Sequence, residues 1–392
     1  MQRAQLSNLA KYILGYWKPA IDWENGGINY EMQDFGLGPV QSDQKCLLIH
    51  ARQLYDYSFG AEIGFSDSLA IADYLFSTLD KVFPKFHGSL YHSFSVDTHP
   101  TNAPYLSAYD LYYTVIALTR YSRMNKNPAI LMKSYKLFQS VNNFFNDHPF
   151  QSRGCYFEYD LKNKQFRRKT GNTILHRLEA LISIIDTAIN MELNIFTKDQ
   201  IKYELNNIEK LFINKILDPK HLIALEDFDA DFKPSQAQLF GRATNSHILE
   251  WIGFWFEANQ LAGYNSVFIK EHGIQAVNSA IKRGFDRQTG GFKNDHYLSE
   301  NKTAETTSFW SQPEAVLGVL YANQIYSSAR YRHIADKMFR FYINYFLDRK
   351  FGGIFADVST HGIVINRSKG FAMKCDHHPI RMIDKILEWK LI

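Results

Sequence analysis

The sequence predicts an all-α protein: an (α/α)6 barrel with short β-hairpins at one mouth, built as a single domain over residues 1–392. Three observations lead there. Glycine turns with an aromatic or aliphatic follower recur about every 65 residues, and self-similarity at a fixed period marks a repeated architecture. A helix with charges along one face stands before each turn, and a helix apolar nearly all round stands after it. Six half-exposed helices alternating with six buried ones make two concentric rings, the buried set inside. A solenoid of helix pairs would need polar capping ends, and neither terminus is polar enough.

The turns are Gly26-Gly27-Ile28, Gly88-Ser89-Leu90, Gly154-Cys155-Tyr156, Gly290-Gly291-Phe292 and Gly352-Gly353-Ile354. The third gap is close to twice the others, so a copy without its glycine is expected at Leu222-Ile223-Ala224-Leu225. Outer helices are read at Leu6–Trp17, Asp67–Val82, Ala129–Phe145, Lys198–Ile216, Phe268–Gly284 and Ala329–Phe346, where apolar residues keep three-four spacing. Short alternating strands follow the turns, as in Gly27-Ile28-Asn29-Tyr30-Glu31-Met32. Inner helices are read at Asp43–Tyr57, Ala108–Tyr121, Asn172–Asn190, Ser246–Gly263, Ser311–Tyr326 and His378–Trp389. No Pro/Gly/Ser linker or break in composition divides them.

Composition narrows the function. With 21% charged and 45% hydrophobic residues the chain is globular, without a disorder signature. A net charge of +4 with no basic block does not point to nucleic acid. No run approaches a membrane span, and Met1 to Lys18 mixes Arg3, Asn8 and Lys11 among its apolar positions, unlike a signal peptide. Cys46, Cys155 and Cys375 are too widely spaced for a metal motif or a disulfide framework, which fits a reducing compartment. A soluble, cytoplasmic protein is expected.

Stacking the repeats aligns polar residues at the starts of the inner helices. They are Lys45 and Arg52; Tyr109 and Asp110; Asn172, His176 and Glu179; His247 and Glu250; Trp310, Gln312 and Glu314; Lys374, His377, His378 and Arg381. Parallel inner helices would bring these to one mouth, a concave pocket with convergent polar groups. Two copies share a pattern, His176-Arg-Leu-Glu179 and His247-Ile-Leu-Glu250, and residues three apart share a helix face.

Plainer readings stand beside that one. Ser311 and Glu314 fit a capping box, with Pro313 in the first turn. Glu179 fits a structural partner for a nearby arginine, Tyr109 and Trp310 fit the core, and His176 fits a satisfied core histidine. His87, His92, His99, His296 and His361 fall in loops or turn segments and receive no chemistry. Histidines, an arginine and carboxylates without a cysteine cluster point to proton chemistry. His176, His247 and His378 offer three imidazoles, enough to hold zinc. The spacing of a metal motif is missing, so no metal and no cofactor are expected. A helix N-terminus opposes protonation of a nearby histidine and leaves a neutral imidazole to act as a base.

These residues resemble the N-acylglucosamine 2-epimerase superfamily, whose members include cellobiose 2-epimerases and mannose isomerases. The resemblance runs from Gly26-Gly27 to Arg381. It rests on His50-Ala51-Arg52, Tyr109-Asp110, Asn172 with His176-x-x-Glu179-Ala180, His247-x-x-Glu250, Phe309-Trp310-x-Gln312-x-Glu314-Ala315, and Lys374-x-x-His377-His378-x-x-Arg381. It implies the same barrel and a small-molecule sugar as partner, with a homodimer as the assembly. By the same resemblance His247 and His378 are the catalytic pair, on either side of C2 of a ring-opened aldose. Arg52 would stabilise the enediolate, Tyr109, Asn172 and His176 would hold hydroxyls, and Trp310 would offer a ring face. Glu250 would orient His247 or bind a hydroxyl, with Gln312, Glu314, Lys374 and Arg381 binding or supporting.

The implied reaction is epimerisation at C2 of an unphosphorylated aldose or N-acylhexosamine. Aldose–ketose isomerisation of the mannose–fructose type shares its enediolate. An inverting glycoside hydrolase recruiting Glu250, Glu314 or Asp376, and a sugar-binding module without catalysis, are the readings from other classes. Asn245-Ser246 replaces a glycine usual in the family, His377 a tyrosine, Pro313 a small residue and Ile28 a phenylalanine. These changes surround the pocket and bear on the choice of sugar.

Overall fold

The computed structural model describes residues 1–92, 105–235 and 242–392. Among them twelve long helices follow one another. They are α1 (Arg3–Trp17), α2 (Leu47–Glu62), α3 (Ser68–Val82), α4 (Ala108–Asn125), α5 (Pro128–Phe145), α6 (Gly171–Asn190), α7 (Lys198–Leu211), α8 (Asn245–Ala262), α9 (Ile274–Gly284), α10 (Ser311–Tyr326), α11 (Ala329–Tyr345) and α12 (His377–Glu388). Each even-numbered helix packs on the next, and α12 returns to α2, so the inner ring closes.

Burial separates the two rings as the periodicity requires. In α2 every residue from Leu47 to Gly60 is buried. In α11 burial falls on Tyr331, Ile334, Ala335, Met338, Phe339, Phe341 and Tyr342, the stripe of an amphipathic helix with one face to solvent. Two outer helices reach their expected spans through π turns, Phe212–Ile216 after α7 and Ile269–Gly273 before α9. One inner helix starts late. Lys45 lies ahead of α2, where its Nζ donates to Asp22 Oδ2 and Asn29 Oδ1, each at 2.7 Å, and fastens the first glycine turn.

A small antiparallel hairpin marks each of the six units. It pairs Ile21 with Ile28, Phe86 with Leu90, Asn146 with Cys155, Leu217 with Ala224, Phe285 with Phe292 and Leu347 with Ile354. The fourth hairpin falls where the copy without glycine is expected. Leu222 has a positive φ there, 52°, as Gly27, Gly154 and Gly290 do in their own turns. That conformation costs a leucine about 1–2 kcal/mol and a glycine almost nothing.

Strands tie the second to sixth units in series around the mouth. Tyr105–Ser107, entering α4, pairs with Glu158–Asp160. Lys169–Thr170, entering α6, pairs with Asp227–Phe228. Arg242–Thr244, entering α8, pairs with Asp295–Tyr297, and Thr306–Ser308, entering α10, with Asp357–Ser359. A bridge between Met32 and Gly370 joins the first unit to the sixth. Just beyond each pairing, the carbonyls of Phe157, Glu226, Asn294 and Ala356 accept from the N–H of Ala108, Gly171, Asn245 and Phe309 at 2.8–2.9 Å. These four residues are thereby held at the rim, next to the first turns of the inner helices. No helix among the described residues is long and apolar enough to cross a membrane.

Candidate active site

The inner helices start around a cavity of about 550 Å³. Of the expected residues, Arg52, Tyr109, Asn172, His176, His247, Glu250, Trp310 and His378 line it. Glu226, Asn294, Asp295 and Asp357 join them from the strand segments at the rim.

His378 is the second residue of α12. Its Nδ1 lies 2.8 Å from Glu314 Oε1, and its Nε2 lies 3.3 Å from Arg52 Nη2. A guanidinium only donates, so Nε2 accepts; the ring is neutral and its single proton, on Nδ1, goes to Glu314. Burial first, and the Arg52 charge second, hold this imidazole well below the ordinary histidine pKa. Arg52 is fixed in turn by donating to Met373 O at 3.0 Å and Tyr109 Oη at 2.9 Å, over the Tyr113 ring.

Glu314 does not cap its helix. The Ser311 hydroxyl accepts from the Ser308 N–H, while the two Glu314 oxygens go to His378 Nδ1 and to Arg381 Nη1, the latter at 2.9 Å. This corrects the capping-box reading, for a reason of charge: a buried carboxylate must find a cation or a strong donor. Burial pushes the Glu314 carboxyl up to about 7 even though Arg381 pulls it down. Arg381 also donates through Nε to Glu179 Oε1, and Glu179 Oε2 lies 2.7 Å from His176 Nδ1. The structural partnership expected of Glu179 is present. Burial works against its ionisation, yet Arg381 and His176 hold its carboxyl below the usual glutamate value.

His247 sits in the first turn of α8. Its Nδ1 is hydrogen-bonded to Glu226 Oε1 and lies 2.7 Å from Thr244 Oγ1. Its Nε2 is 3.7 Å from Glu250 Oε2, a buried oxygen without a hydrogen-bond partner. Burial, then the neighbouring Glu314, raises the Glu250 carboxyl well above its ordinary pKa. Ring and carboxylate atoms of Glu250, Glu314 and His378 come within 4.8 Å of one another. Glu250 therefore stands between the two imidazoles. The Trp310 ring spans the same gap, with its centroid 4.9 Å from the His247 ring and 5.9 Å from the His378 ring.

The Glu250, Glu314 and His378 cluster has atoms a divalent cation could bridge. Arg52 and Arg381 already bring two positive charges to it. The set of His176, His247 and His378 raised for zinc does not form such a cluster among the described residues.

Two expected site residues serve the scaffold instead. Gln312 accepts from the Phe292 N–H at 2.8 Å and donates to Gly290 O and Met338 O at 3.0 Å, locking the glycine turn of the fifth unit. Lys374 donates to Lys369 O at 2.8 Å and to Asp376. Neither lines the cavity, because each has buried backbone or carboxylate oxygens to satisfy. Arg381 likewise acts from beneath, through Glu179 and Glu314. His99 lies outside the described residues.

Glu226 is not among the residues that spacing or resemblance singles out. A signal for it exists: it stands two residues beyond the paired strand residue of its hairpin, as Phe157, Asn294 and Ala356 do in theirs. The missing glycine hides that alignment in the sequence.

The barrel and the comparisons together place the chain among the isomerases. Residues 26–379 match the model of the N-acylglucosamine 2-epimerase (GlcNAc 2-epimerase) family, and the chain belongs to that family. A cellobiose 2-epimerase of Ruminococcus albus is 22% identical over 391 residues, covering 97% of this chain and 96% of the relative. The cellobiose 2-epimerase structure from Bacillus thermoamylovorans B4167 has the same fold, with a TM-score of 0.83, 20% identity and 99% of each chain covered. A D-mannose isomerase structure superposes with a TM-score of 0.80 at 14% identity, over 99% of this chain and 98% of that one.

Proposed function

We propose that this isomerase is a 2-epimerase acting at C2 of an unphosphorylated aldose or N-acylhexosamine, with His378 and His247 as the acid/base pair. The observation that carries this reading is the matched pair of imidazoles on one cavity. Each has its Nδ1 against a carboxylate, Glu314 or Glu226, and its Nε2 beside a group that would share the substrate, Arg52 for His378 and Glu250 for His247.

In this mechanism His378 Nε2 takes the C2 proton, and the C–H electrons move into the C1 carbonyl to form a cis-enediolate. The barrier is steep: a sugar α-proton is roughly ten pKa units weaker an acid than imidazolium, about 14 kcal/mol. Arg52, next to His378 Nε2, donates to the forming oxyanion, where preorganised charge is worth most. His247, which must enter this direction as an imidazolium, then gives its Nε2 proton to the opposite face of C2 while the abstracted proton stays on His378, and the roles exchange in the reverse direction. Asn172, whose Oδ1 has no hydrogen-bond partner, and Tyr109 and His176 receive the sugar hydroxyls.

The carboxylates weigh against an inverting hydrolase, which keeps its pair roughly 6.5–9.5 Å apart with a water between. Glu250 and Glu314 approach within 4.8 Å, and Asp376 is occupied by Lys374 and Trp17. Incubation with cellobiose, N-acetylmannosamine and mannose in deuterated water tests the proposal. The expected product is the C2 epimer carrying deuterium at C2. A ketose deuterated at C1 would assign aldose–ketose isomerisation instead, and no exchange into any sugar would sink both.

A further inference from the structure

We propose that Glu226 is a positioning residue for His247: it accepts the Nδ1 hydrogen bond, presents Nε2 to the cavity, and leaves Glu250 free to face the substrate. This rests on the reading of His247 as a proton carrier at C2.

Three independent features point to it. Glu226 is anchored through its own backbone, because its carbonyl accepts from the Gly171 N–H at 2.8 Å while its side chain reaches His247 Nδ1. Thr244 gives up a helix cap for the same cluster. Ser107 and Thr170 occupy the corresponding place before α4 and α6, and their hydroxyls accept from the N–H of Asp110 and Thr173. Thr244 makes no such cap; its hydroxyl donates to Glu226 Oε1 at 2.7 Å and touches His247 Nδ1. Lastly, on neighbouring α6 the same His-x-x-Glu pattern pairs internally, His176 with Glu179, whereas on α8 the Nδ1 of His247 is taken by Glu226 and the Glu250 oxygen beside Nε2 has no partner.

The charge balance agrees. Burial pushes the Glu226 carboxyl up, but the His247 ring and the Thr244 hydroxyl outweigh it and keep it ionised. A carboxylate on Nδ1 fixes both the tautomer and the orientation of an imidazole, and at metal-bound histidines its loss costs about 10–100-fold.

The test compares Glu226→Gln, Glu226→Ala and Glu226→Asp with the wild type and His247→Ala, each confirmed folded by its thermal transition. The Gln and Ala variants are expected to lose about 10–100-fold in kcat with KM little changed, and Asp to recover part of it. Nitrogen-15 spectra of the neutral His247 ring supply a readout that needs no turnover: the proton should sit on Nδ1 in the wild type and redistribute toward Nε2 in Glu226→Ala. Wild-type kcat and tautomer in Glu226→Ala would overturn the proposal. If His247→Ala itself kept full activity, the assigned reaction would fail instead, and the ring spectra would still decide the role of Glu226.

Discussion

His176-Arg-Leu-Glu179 and His247-Ile-Leu-Glu250 carry the same pattern at the same place on neighbouring inner helices, yet they become different devices. On α6 the pair closes on itself, His176 Nδ1 to Glu179, and Arg381 locks the carboxylate from below. On α8 the pair is pulled apart. Glu226 takes Nδ1, and Glu250 is left buried beside Nε2 with a carboxyl raised well above its usual value. The same i,i+3 spacing thus builds a rigid charged strut in one unit and an open acid beside a ring nitrogen in the next. Spacing decides which groups are able to meet; the segments arriving from elsewhere in the chain decide which do.

The largest test of that contrast is catalytic. His247→Ala and His378→Ala should each lower kcat by about 10²–10⁴-fold, the usual worth of a positioned acid or base. His176→Ala should fall well short of that, with more of its effect in KM. Equal losses at His176 and His247 would erase the functional difference between the two units. Unchanged ligand affinity with no turnover even in the wild type would favour the sugar-binding module.

Next comes the strut. Arg381→Ala leaves Glu179 and Glu314 buried without their shared cation, and breaking such a pair costs about 3–5 kcal/mol, readable by urea denaturation. Glu179→Gln should destabilise in the same sense by a similar amount. Glu250→Gln should not, because among the described residues no arginine or lysine pairs with Glu250, whose neighbour is the His247 ring at 3.7 Å.

The smallest effect is in the pH dependence of those two variants. The folded-state pKa of Glu179 is lowered, so its contribution is present above the ordinary glutamate value and fades as pH falls through the folded value. The gap between wild type and Glu179→Gln should therefore narrow in acid. The folded-state pKa of Glu250 is raised, so the unfolded chain releases that proton first as pH rises, and the wild type loses stability relative to Glu250→Gln above the ordinary value. Denaturation curves at pH 4 and pH 7 give both signs. Parallel slopes for the two variants would mean that the two carboxyls share one environment after all.

The chain itself determined the barrel. Its period, the alternation of half-apolar and fully apolar helices, and even the hairpin without its glycine follow from local backbone preference and from which faces must be buried, and Leu222 shows how one turn keeps its shape with the wrong residue. The convergence of Arg52, Tyr109, Asn172, His176, His247, Glu250, Trp310 and His378 was equally legible, because parallel helices that start together present their first turns together. Tertiary structure alone decided the partnerships. Glu226 found His247, Glu314 chose His378 and Arg381 over its own helix end, and Gln312 and Lys374 turned away to satisfy buried oxygens. Hydrogen bonds inside a desolvated cavity depend on which donor arrives within about 3 Å, and that distance is set by segments far apart in the chain, beyond the reach of any local pattern.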